Sequence, residues 1–405
     1  MAWAYHRIPP EDDPSIPHPI TKYDQIIESP DDSSGSLTFG IELEFMVPIL
    51  RSGLIDPFPE DRRPLFKYPA YSDIDILVLD VIEGACDIPF RLELEDKFRR
   101  PSSNVIRYDM WRLIKDHSLK FQKVDRHEHT WVGREITSEV FNSDEPKDYT
   151  EKITKVCHAI RQLRVHLNQT TSVHVHVGLG DEPFSLLTIK KAMTLILLAD
   201  DMLMGLHHPA RRESPHCRLI SLCSELGRWL PEFARDKKNI LKESLEQRMG
   251  EFVPDIPAAK QTLQATKSFK ELARMMDDPV HDWGYYRGSV SFARFLPDED
   301  DVGGNTQTIE FRQMAGCLEP GEIIHWAKVC IAIVDFARLS DAGRYKGLLK
   351  KLMPEDSTFS AFDLLLELGL VEEEKYFRAK VQGYQSNLDF YPGESSGGLF
   401  VPELE

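Results

Sequence analysis

Ionisable side chains alternate with apolar residues along four segments of this 405-residue chain. Three segments carry a pair and the fourth carries a single carboxylate: Glu42 and Glu44 in GIELEF, His174 and His176 in SVHVHVG, Glu310 and Arg312 in TIEFR, and Glu135 in VGREITSE. Residues two apart on a strand lie on the same side of a sheet. If the four segments are strands of one sheet, carboxylates, imidazoles and a guanidinium meet in one pocket.

The residue types in this pocket predict metal-assisted phosphoryl transfer. Buried carboxylates need counter-ions, and Mg²⁺ or Mn²⁺ prefers carboxylate oxygens and accepts an imidazole as a further ligand. Mg²⁺ commonly keeps positions for nucleotide phosphates, and an arginine can hold a phosphoryl group during its transfer. We therefore expect ATP and a divalent metal ion to bind here.

Each motif alone also has a simpler interpretation. The glutamate pair fits a solvated strand face, the histidine pair fits a hydrogen-bonded structural role, and Glu310 with Arg312 fits an ion pair within a sheet. Their joint occurrence on otherwise apolar strands favours one shared site.

The remaining pattern predicts an α+β fold with a largely antiparallel sheet, because strands and helices do not alternate regularly. Strands are predicted in LTFGIELEFMV, SVHVHVGLG, SVSFARF and NTQTIEFRQM, and WRLIKDHSL is predicted to be extended. The run DIDILVLDVI alternates within an irregular region, 51–130. Apolar residues at helical spacing predict helices at 148–167, 181–204, 219–234, 319–339 and 361–381.

Composition divides the chain into four parts. The proline-rich composition of residues 1–36 predicts a flexible arm. Residues 37–340 contain all the motifs, and we predict that they form the catalytic domain. We predict that residues 341–381 form a helical extension. Residues 382–405 are rich in glycine and serine, and we predict that they form a loosely ordered tail.

The bulk numbers exclude several classes of protein. A net charge of −17 without a long basic stripe argues against nucleic acid as the main partner. Six cysteines without a CxxC pair fit a reducing compartment, and the acidic, proline-rich start has no signal-peptide pattern, so we expect a cytoplasmic protein. The most apolar stretch, 185–206, contains two lysines and two aspartates and predicts a buried helix, without association with a membrane.

The ordered set of motifs resembles the amidoligase family of the glutamine synthetase-like carboxylate–amine ligases. FGIELEF comes first, DHSL and REITSE follow, HVHVG lies mid-chain, and TIEFR precedes a long segment with Trp326. The resemblance covers about 37–339. It implies a curved antiparallel sheet of the glutamine synthetase catalytic-domain type, flanked by helices. It also implies an ATP-dependent ligase that activates a small-molecule or peptide carboxylate as an acyl phosphate and joins it to an amine.

The resemblance also implies roles for the pocket residues. Glu42, His174 and Glu310 would hold the metal ion that bridges the ATP phosphates, and Glu44 and Glu135 would hold a second ion. Glu310 would thereby also act in catalysis.

Further roles concern the nucleotide and the substrates. His176 would lie near the nucleotide, Arg312 would stabilise the phosphoryl group during transfer, and Asp116 in DHSL would shape the substrate side. The basic segment HHPARRESPHCR places Arg212 where it could meet phosphates, although cations at a helix C-terminus explain it equally well. Arg287 could line the substrate entrance, but a turn between strands explains it too.

Three points qualify the resemblance. Glu139 stands where the family often has proline, and Ser172 where it often has glycine. Cys217 or Cys317 could act as a nucleophile for a thioester route, but the sequence identifies no neighbouring base. Two other functions fit the same residues: a phosphagen-type kinase on the same fold, and a non-catalytic nucleotide- or metal-binding module.

Overall fold

The computed structural model of the chain describes the residues that form one sheet and its flanking helices. These residues are 32–67, 74–92, 108–121, 128–214, 216–224, 263, 266, 268–276, 288–295, 307–353, 358–386 and 400–401. Within them, no helix is long and apolar enough to cross a bilayer.

Nine strands of the described residues form the sheet. They are Thr38–Leu50 (β1), Phe66–Lys67 (β2), Phe90–Leu92 (β3), Trp111–Lys115 (β4), His129–Thr137 (β5), Phe141–Asn142 (β6), Ser172–Gly178 (β7), Val290–Ser291 (β8) and Thr308–Ala315 (β9). The order is β3-β4-β5-β1-β7-β9-β8, and β2 and β6 also pair with β1. Only β1 with β2 and β3 with β4 are parallel among these pairs, so the sheet is mostly antiparallel, as predicted.

Helices cover the apolar face of this sheet. They are Ile74–Cys86 (α1), Pro146–Ile160 (α2), Leu186–Met204 (α3), Ile220–Cys223 (α4), Phe269–Met276 (α5), Pro320–Leu339 (α6), Ala342–Leu352 (α7), Ala361–Glu367 (α8) and Val371–Ser386 (α9). The apolar side chains of β1, among them Ile41, Leu43 and Phe45, are buried in this core. Helix α6 packs against β7, α2 and α3. The opposite face is left for polar side chains.

Two local predictions were wrong, and one region described as irregular contains a helix. Residues Ile74–Ile82 of the run DIDILVLDVI lie in helix α1, which buries Ile74, Val78 and Ile82 at helical spacing. SVSFARF forms only the short strand β8, followed by a 3₁₀ turn at Ala293–Phe295. The helix predicted at 361–381 is two helices, because Gly369 between them has a positive φ of 83°, which ends a helix.

The ends of the predicted segments also differ from the helices found. Helix α3 begins at Leu186 because the Ser185 side chain accepts a hydrogen bond from the Thr188 amide and caps the helix. The predicted helix 219–234 is described only up to Ser224, and the remainder lies outside the described residues. Phe400 and Val401, inside the predicted tail, are buried, and the Val401 amide donates to the carbonyl of Val165.

Candidate active site

The register of the four central strands places the predicted residues on one face. Glu44 lies opposite Glu135, and Glu42 lies opposite both Thr137 and His174. On the far side of β7, His176 lies opposite Glu310. Residues directly opposite in a sheet share a face. These positions therefore share one face of the sheet, as the alternation along the strands predicts.

One extra residue in β9 interrupts this register beside His174. Val173 pairs with Met314 and Val175 pairs with Phe311, so the register shifts between them. Such bulges re-aim side chains and recur next to active sites. Arg312 contacts Glu310 on the polar face, whereas the Gln313 side chain donates to Asp200 of α3 on the other face.

A first cluster of donor atoms joins Glu42, His176 and Glu310, and we call it the first acidic group. One ligand atom of each residue lies within 4.8 Å of the others. His176 Nε2 lies 2.9 Å from a Glu42 oxygen, and its Nδ1 lies 3.2 Å from the Thr308 hydroxyl. The resemblance assigned His174 to this group. The geometry adds His176, and His174 Nδ1 also lies 2.7 Å from a Glu42 oxygen and 3.5 Å from a Glu310 oxygen.

A second cluster joins Glu44, Asp116 and Glu135, and we call it the second acidic group. Its ligand atoms also lie within 4.8 Å of one another. Asp116 was expected on the substrate side, but its carboxylate lies beside the two glutamates. Asp116 reaches this position because its loop crosses β5 at Gly133, where the Asp116 amide donates to the Gly133 carbonyl at 3.2 Å. A Cβ on Gly133 would clash with the Asp116 carbonyl oxygen and lie 2.9 Å from Leu119 Cβ.

His174 and Ser172 connect the two groups. His174 Nδ1 lies 2.7 Å from a Glu42 oxygen, and its Nε2 lies 2.8 Å from the Ser172 hydroxyl. Ser172 donates its hydroxyl and its amide to one oxygen of Glu44, at 2.7 and 2.8 Å. Ser172, noted as a departure from the family pattern, thus holds Glu44 in place.

Arg312 is held over the first acidic group through its side chain and its backbone. Its Nε lies 2.6 Å from a Glu310 oxygen. Its amide donates to the Ser289 carbonyl at 2.7 Å, and its carbonyl accepts from the buried Arg211 side chain at 2.8 Å. The Ser289 hydroxyl in turn donates to the buried Asp200 carboxylate at 2.7 Å. The core therefore fixes the position of Arg312 independently of any ligand.

The first acidic group is ionised because cations surround it. Burial raises the pKa of Glu42, but His176 and His174 outweigh burial and hold it well below its usual range. Burial likewise raises the pKa of Glu310, and the Arg312 guanidinium overcomes that effect and lowers it. Burial lowers the pKa of His174, whereas Glu44 and Glu42 raise it above its ordinary value. Charge in this group is largely balanced by the protein itself.

The second acidic group lacks this balance. Burial, and then the negative charges of Glu42, Glu44 and Asp116, raise the pKa of Glu135 well above its usual range. Burial also raises the pKa of Glu44, more than His174 lowers it. Asp116 and Glu135 form no ion pair within the parts of the chain that the structure describes. This is the electrostatic environment of carboxylates that gain stability from a bound cation.

The donor set fits divalent metal ions in two respects. The second group offers three carboxylates, the ligands that Mg²⁺ and Mn²⁺ prefer, and the first offers two carboxylates and an imidazole. The buried Nε2 of His176 lies 2.9 Å from a Glu42 oxygen, so this nitrogen and that carboxylate are placed to ligate one ion.

Other predicted residues lie apart from these groups or outside the described chain. Arg212 is exposed and pairs with Asp201 at 2.5 Å, whereas its neighbour Arg211 lies buried behind the site and acts electrostatically on Glu44. Arg287 lies outside the described residues. Cys217 donates to the Arg312 carbonyl at 3.1 Å, and burial raises the pKa of its thiol to about 11, which does not suit a nucleophile.

Several residues of the site were missed or misplaced from the sequence. Gly133 carried a usable signal, because a glycine inside a strand often marks the close approach of another backbone segment. Arg211 could not be separated from Arg212, since both belong to the same basic segment. Asp200 gave no signal, because an aspartate in an apolar helix is also typical of a solvated face.

Comparison with known proteins agrees with the motifs. The family model described as "Putative amidoligase enzyme" matches residues 35–334. No curated protein gives a significant match to the chain. The matched range contains β1, β5, β7 and β9 and every residue of the two acidic groups. The chain belongs to the amidoligase family.

Proposed function

We propose that the protein is an ATP-dependent ligase that forms an amide from a carboxylate and an amine. The carboxylate oxygen attacks the γ-phosphorus of ATP, the bond to the β-phosphate oxygen breaks, and ADP leaves. The amine nitrogen then attacks the carbonyl carbon of the acyl phosphate, and inorganic phosphate leaves with the loss of a proton from nitrogen. Activation is needed because a free carboxylate is a poor electrophile.

One observation carries this proposal: two acidic groups and an anchored arginine share one face of a sheet. Glu42, His176 and Glu310 would hold one divalent ion, and Glu44, Asp116 and Glu135 a second. When bound, such ions supply positive charge against the phosphates. We expect the sheet to be of the glutamine synthetase type, as the family resemblance implies.

The residues of the chain supply orientation and charge. The Arg312 guanidinium lies beside Glu310, where its positive charge would stabilise the negative charge of the phosphoryl group during transfer. Its backbone contacts with Ser289 and Arg211 restrict its movement during that step. The hydrogen bonds of His174 to Glu42 and Ser172 hold the ring between the groups, so that both groups keep their relative position.

A phosphate-release screen tests the proposal. Pairs of carboxylates and amines are incubated with ATP and MgCl₂ or MnCl₂, and ADP, phosphate and amide are measured together. We expect phosphate and amide in equal amounts, only when both substrates are present, and none with Glu42→Ala. A stable phosphorylated product without free phosphate would contradict the ligase and identify a kinase. Turnover by Glu42→Ala at the parent rate would contradict the site.

A further inference from the structure

A cluster of two arginines and a tyrosine lies beside the first acidic group and has no role in the function proposed above. Arg112 belongs to β4, Arg294 to the 3₁₀ turn after β8, and Tyr108 precedes β4. The Arg112 Cζ lies 5.5 Å from the Tyr108 ring centroid, and the Arg294 Cζ lies 5.7 Å from the same centroid. We call these three side chains the arginine bridge.

The register places Arg112 on the polar face of the sheet. Arg112 lies opposite Thr137, which lies opposite Glu42, so the side chains of Arg112, Thr137 and Glu42 share that face. The neighbouring residue Trp111 lies on the other face, where it packs against Phe141 in the core. Arg112 therefore continues the row of Glu42 and His174 towards the edge of the sheet.

The two arginines approach the site from opposite ends of the sheet. Five strand steps separate β4 from β8, which is about 24 Å in a flat sheet. Both guanidinium groups nevertheless contact one tyrosine ring. Their side chains thus reach towards each other over the face that carries the acidic groups.

The charges of the bridge act on the site. Burial lowers the pKa of Arg294, but Tyr108, Glu42 and Glu310 raise it above its usual value, which places its guanidinium within electrostatic range of the first acidic group. Arg294 forms no ion pair within the described residues, and its contact there is with Tyr108. Burial is the largest effect on the pKa of Arg112 and lowers it, the nearby Arg91 and Arg294 lower it further, and Glu135 raises it. A bound anion beside the guanidinium groups of Arg112 and Arg294 would reduce the repulsion between these two positive charges.

We infer that the arginine bridge is a binding site for an oxyanion of a substrate, either a phosphate of the nucleotide or a carboxylate of the acid. The identity of these ligands rests on the proposed function. Arginine binds both groups through paired N–H donors, and the aromatic ring fixes the planes of the guanidinium groups. The bridge would hold negative charge beside the first acidic group, where the transferring phosphoryl group is expected.

Calorimetric titration of Arg294→Gln tests this inference. Arg294 is the better target, because Arg112 is buried in a strand and its loss threatens folding. The probes are AMP-PNP with MgCl₂, adenosine, and L-glutamate as a dicarboxylate. The parent, Arg294→Lys and Arg344→Ala are titrated alongside. Arg344 is an exposed arginine of α7 that stacks on Phe336, and it controls for the loss of one positive charge.

We expect Arg294→Gln to weaken the binding of one anionic probe by about tenfold or more, as loss of a charge-assisted contact implies. Arg294→Lys recovers part of the affinity, and Arg344→Ala leaves it unchanged. A loss for AMP-PNP but not adenosine identifies a phosphate, and a loss for glutamate alone identifies a carboxylate.

Three results would overturn the inference: affinities of Arg294→Gln within twofold of the parent for both anions, an equal loss for adenosine and AMP-PNP, or no binding of either anion to the parent. The calorimetric affinities can be measured without any catalytic turnover. Absence of amide formation together with an Arg294-dependent affinity would therefore contradict the proposed function and leave the oxyanion site standing.

Discussion

The two acidic groups use similar ligands, but they differ in how their charge is balanced. The first group, Glu42 with His176 and Glu310, touches His174 and Arg312, and both of its carboxylates have lowered pKa values. The second group contains Glu44, Asp116 and Glu135, and the pKa values of its two glutamates are raised.

The difference indicates how each group would respond to a cation. The first group is ionised and hydrogen-bonded within the protein, so its arrangement is set by the fold. The second group carries repulsion that the described residues relieve only in part, so a bound cation would stabilise its ionised form.

The largest expected effect concerns Arg312, the cation that distinguishes the first group. Arg312→Ala should lower the rate of ADP formation by about 10³-fold, because an arginine that stabilises the charge of the transition state in phosphoryl transfer contributes an effect of that size. Arg312→Lys keeps the charge but loses the planar guanidinium, and should recover only part of the rate. The measurement is coupled ADP release at saturating ATP.

Arg344→Ala serves as the control for Arg312 and should keep the parent rate. If Arg312→Ala stayed within tenfold of the parent, the arginine would have no part in phosphoryl transfer, and the comparison between the groups would lose its functional meaning.

Opposite changes in stability are expected when one carboxylate of each group is neutralised. In EDTA at pH 7.5, Glu42→Gln should lower the free energy of unfolding by about 3 kcal/mol, because it leaves buried histidines without their partner. Glu135→Gln should raise it by about 1 kcal/mol, because it removes buried like-charge repulsion. Urea unfolding followed by circular dichroism measures both.

The pH dependence of these variants follows from the direction of each pKa shift. The pKa of Glu135 is raised by burial and by neighbouring carboxylates, so its stabilising contribution is present at low pH and is lost as pH rises through that value. The advantage of Glu135→Gln should therefore grow with pH. The pKa of Glu42 is lowered despite burial, so the deficit of Glu42→Gln should shrink as pH falls. If raising the pH changed the stability of both variants relative to the parent in the same direction, the distinction between the two acidic groups would be wrong.

A smaller effect is expected from Gly133, which gives Asp116 access to the second group. Gly133→Ala should destabilise the protein by about 1 to 3 kcal/mol, because the added methyl group overlaps the Asp116 loop. It should also weaken stabilisation by MnCl₂. Gly84→Ala in α1 is the control: its Cβ would meet nothing within 4 Å, so a gain of about 0.5 kcal/mol is expected. Equal manganese-dependent shifts of the melting temperature in all three proteins would argue against Asp116 as a ligand.

The smallest effect concerns Ser172, which links the groups. Ser172→Ala removes the hydroxyl contacts with Glu44 and His174, but the amide of residue 172 still donates to Glu44. We expect a loss of about 1 kcal/mol in stability and a two- to tenfold lower rate. Stability is measured by urea unfolding, and the rate is measured by ADP release. A loss as large as that of Arg312→Ala would mean that Ser172 takes part in the chemistry directly.

The sequence by itself determined which side chains share a face. Alternation in GIELEF and SVHVHVG placed Glu42, Glu44, His174 and His176 on the polar side, because side chains on a strand alternate with a period of two. The mostly antiparallel sheet and the family followed from the same motifs. The run DIDILVLDVI was not predicted as a helix, because a short apolar run fits two periods at once. Packing of Val78 and Ile82 against the core selected the helix.

Only the tertiary structure decided which donors meet. The pairing of His176 with Glu310, the extra residue in β9 and the path of the Asp116 loop over Gly133 all depend on contacts between residues far apart in the chain. The same holds for Arg211, which lies buried behind the site and donates to the Arg312 carbonyl, while Arg212 is exposed and pairs with Asp201. A period within one strand fixes the face of a side chain, but lateral neighbours are set by register, and register is a property of the assembled sheet.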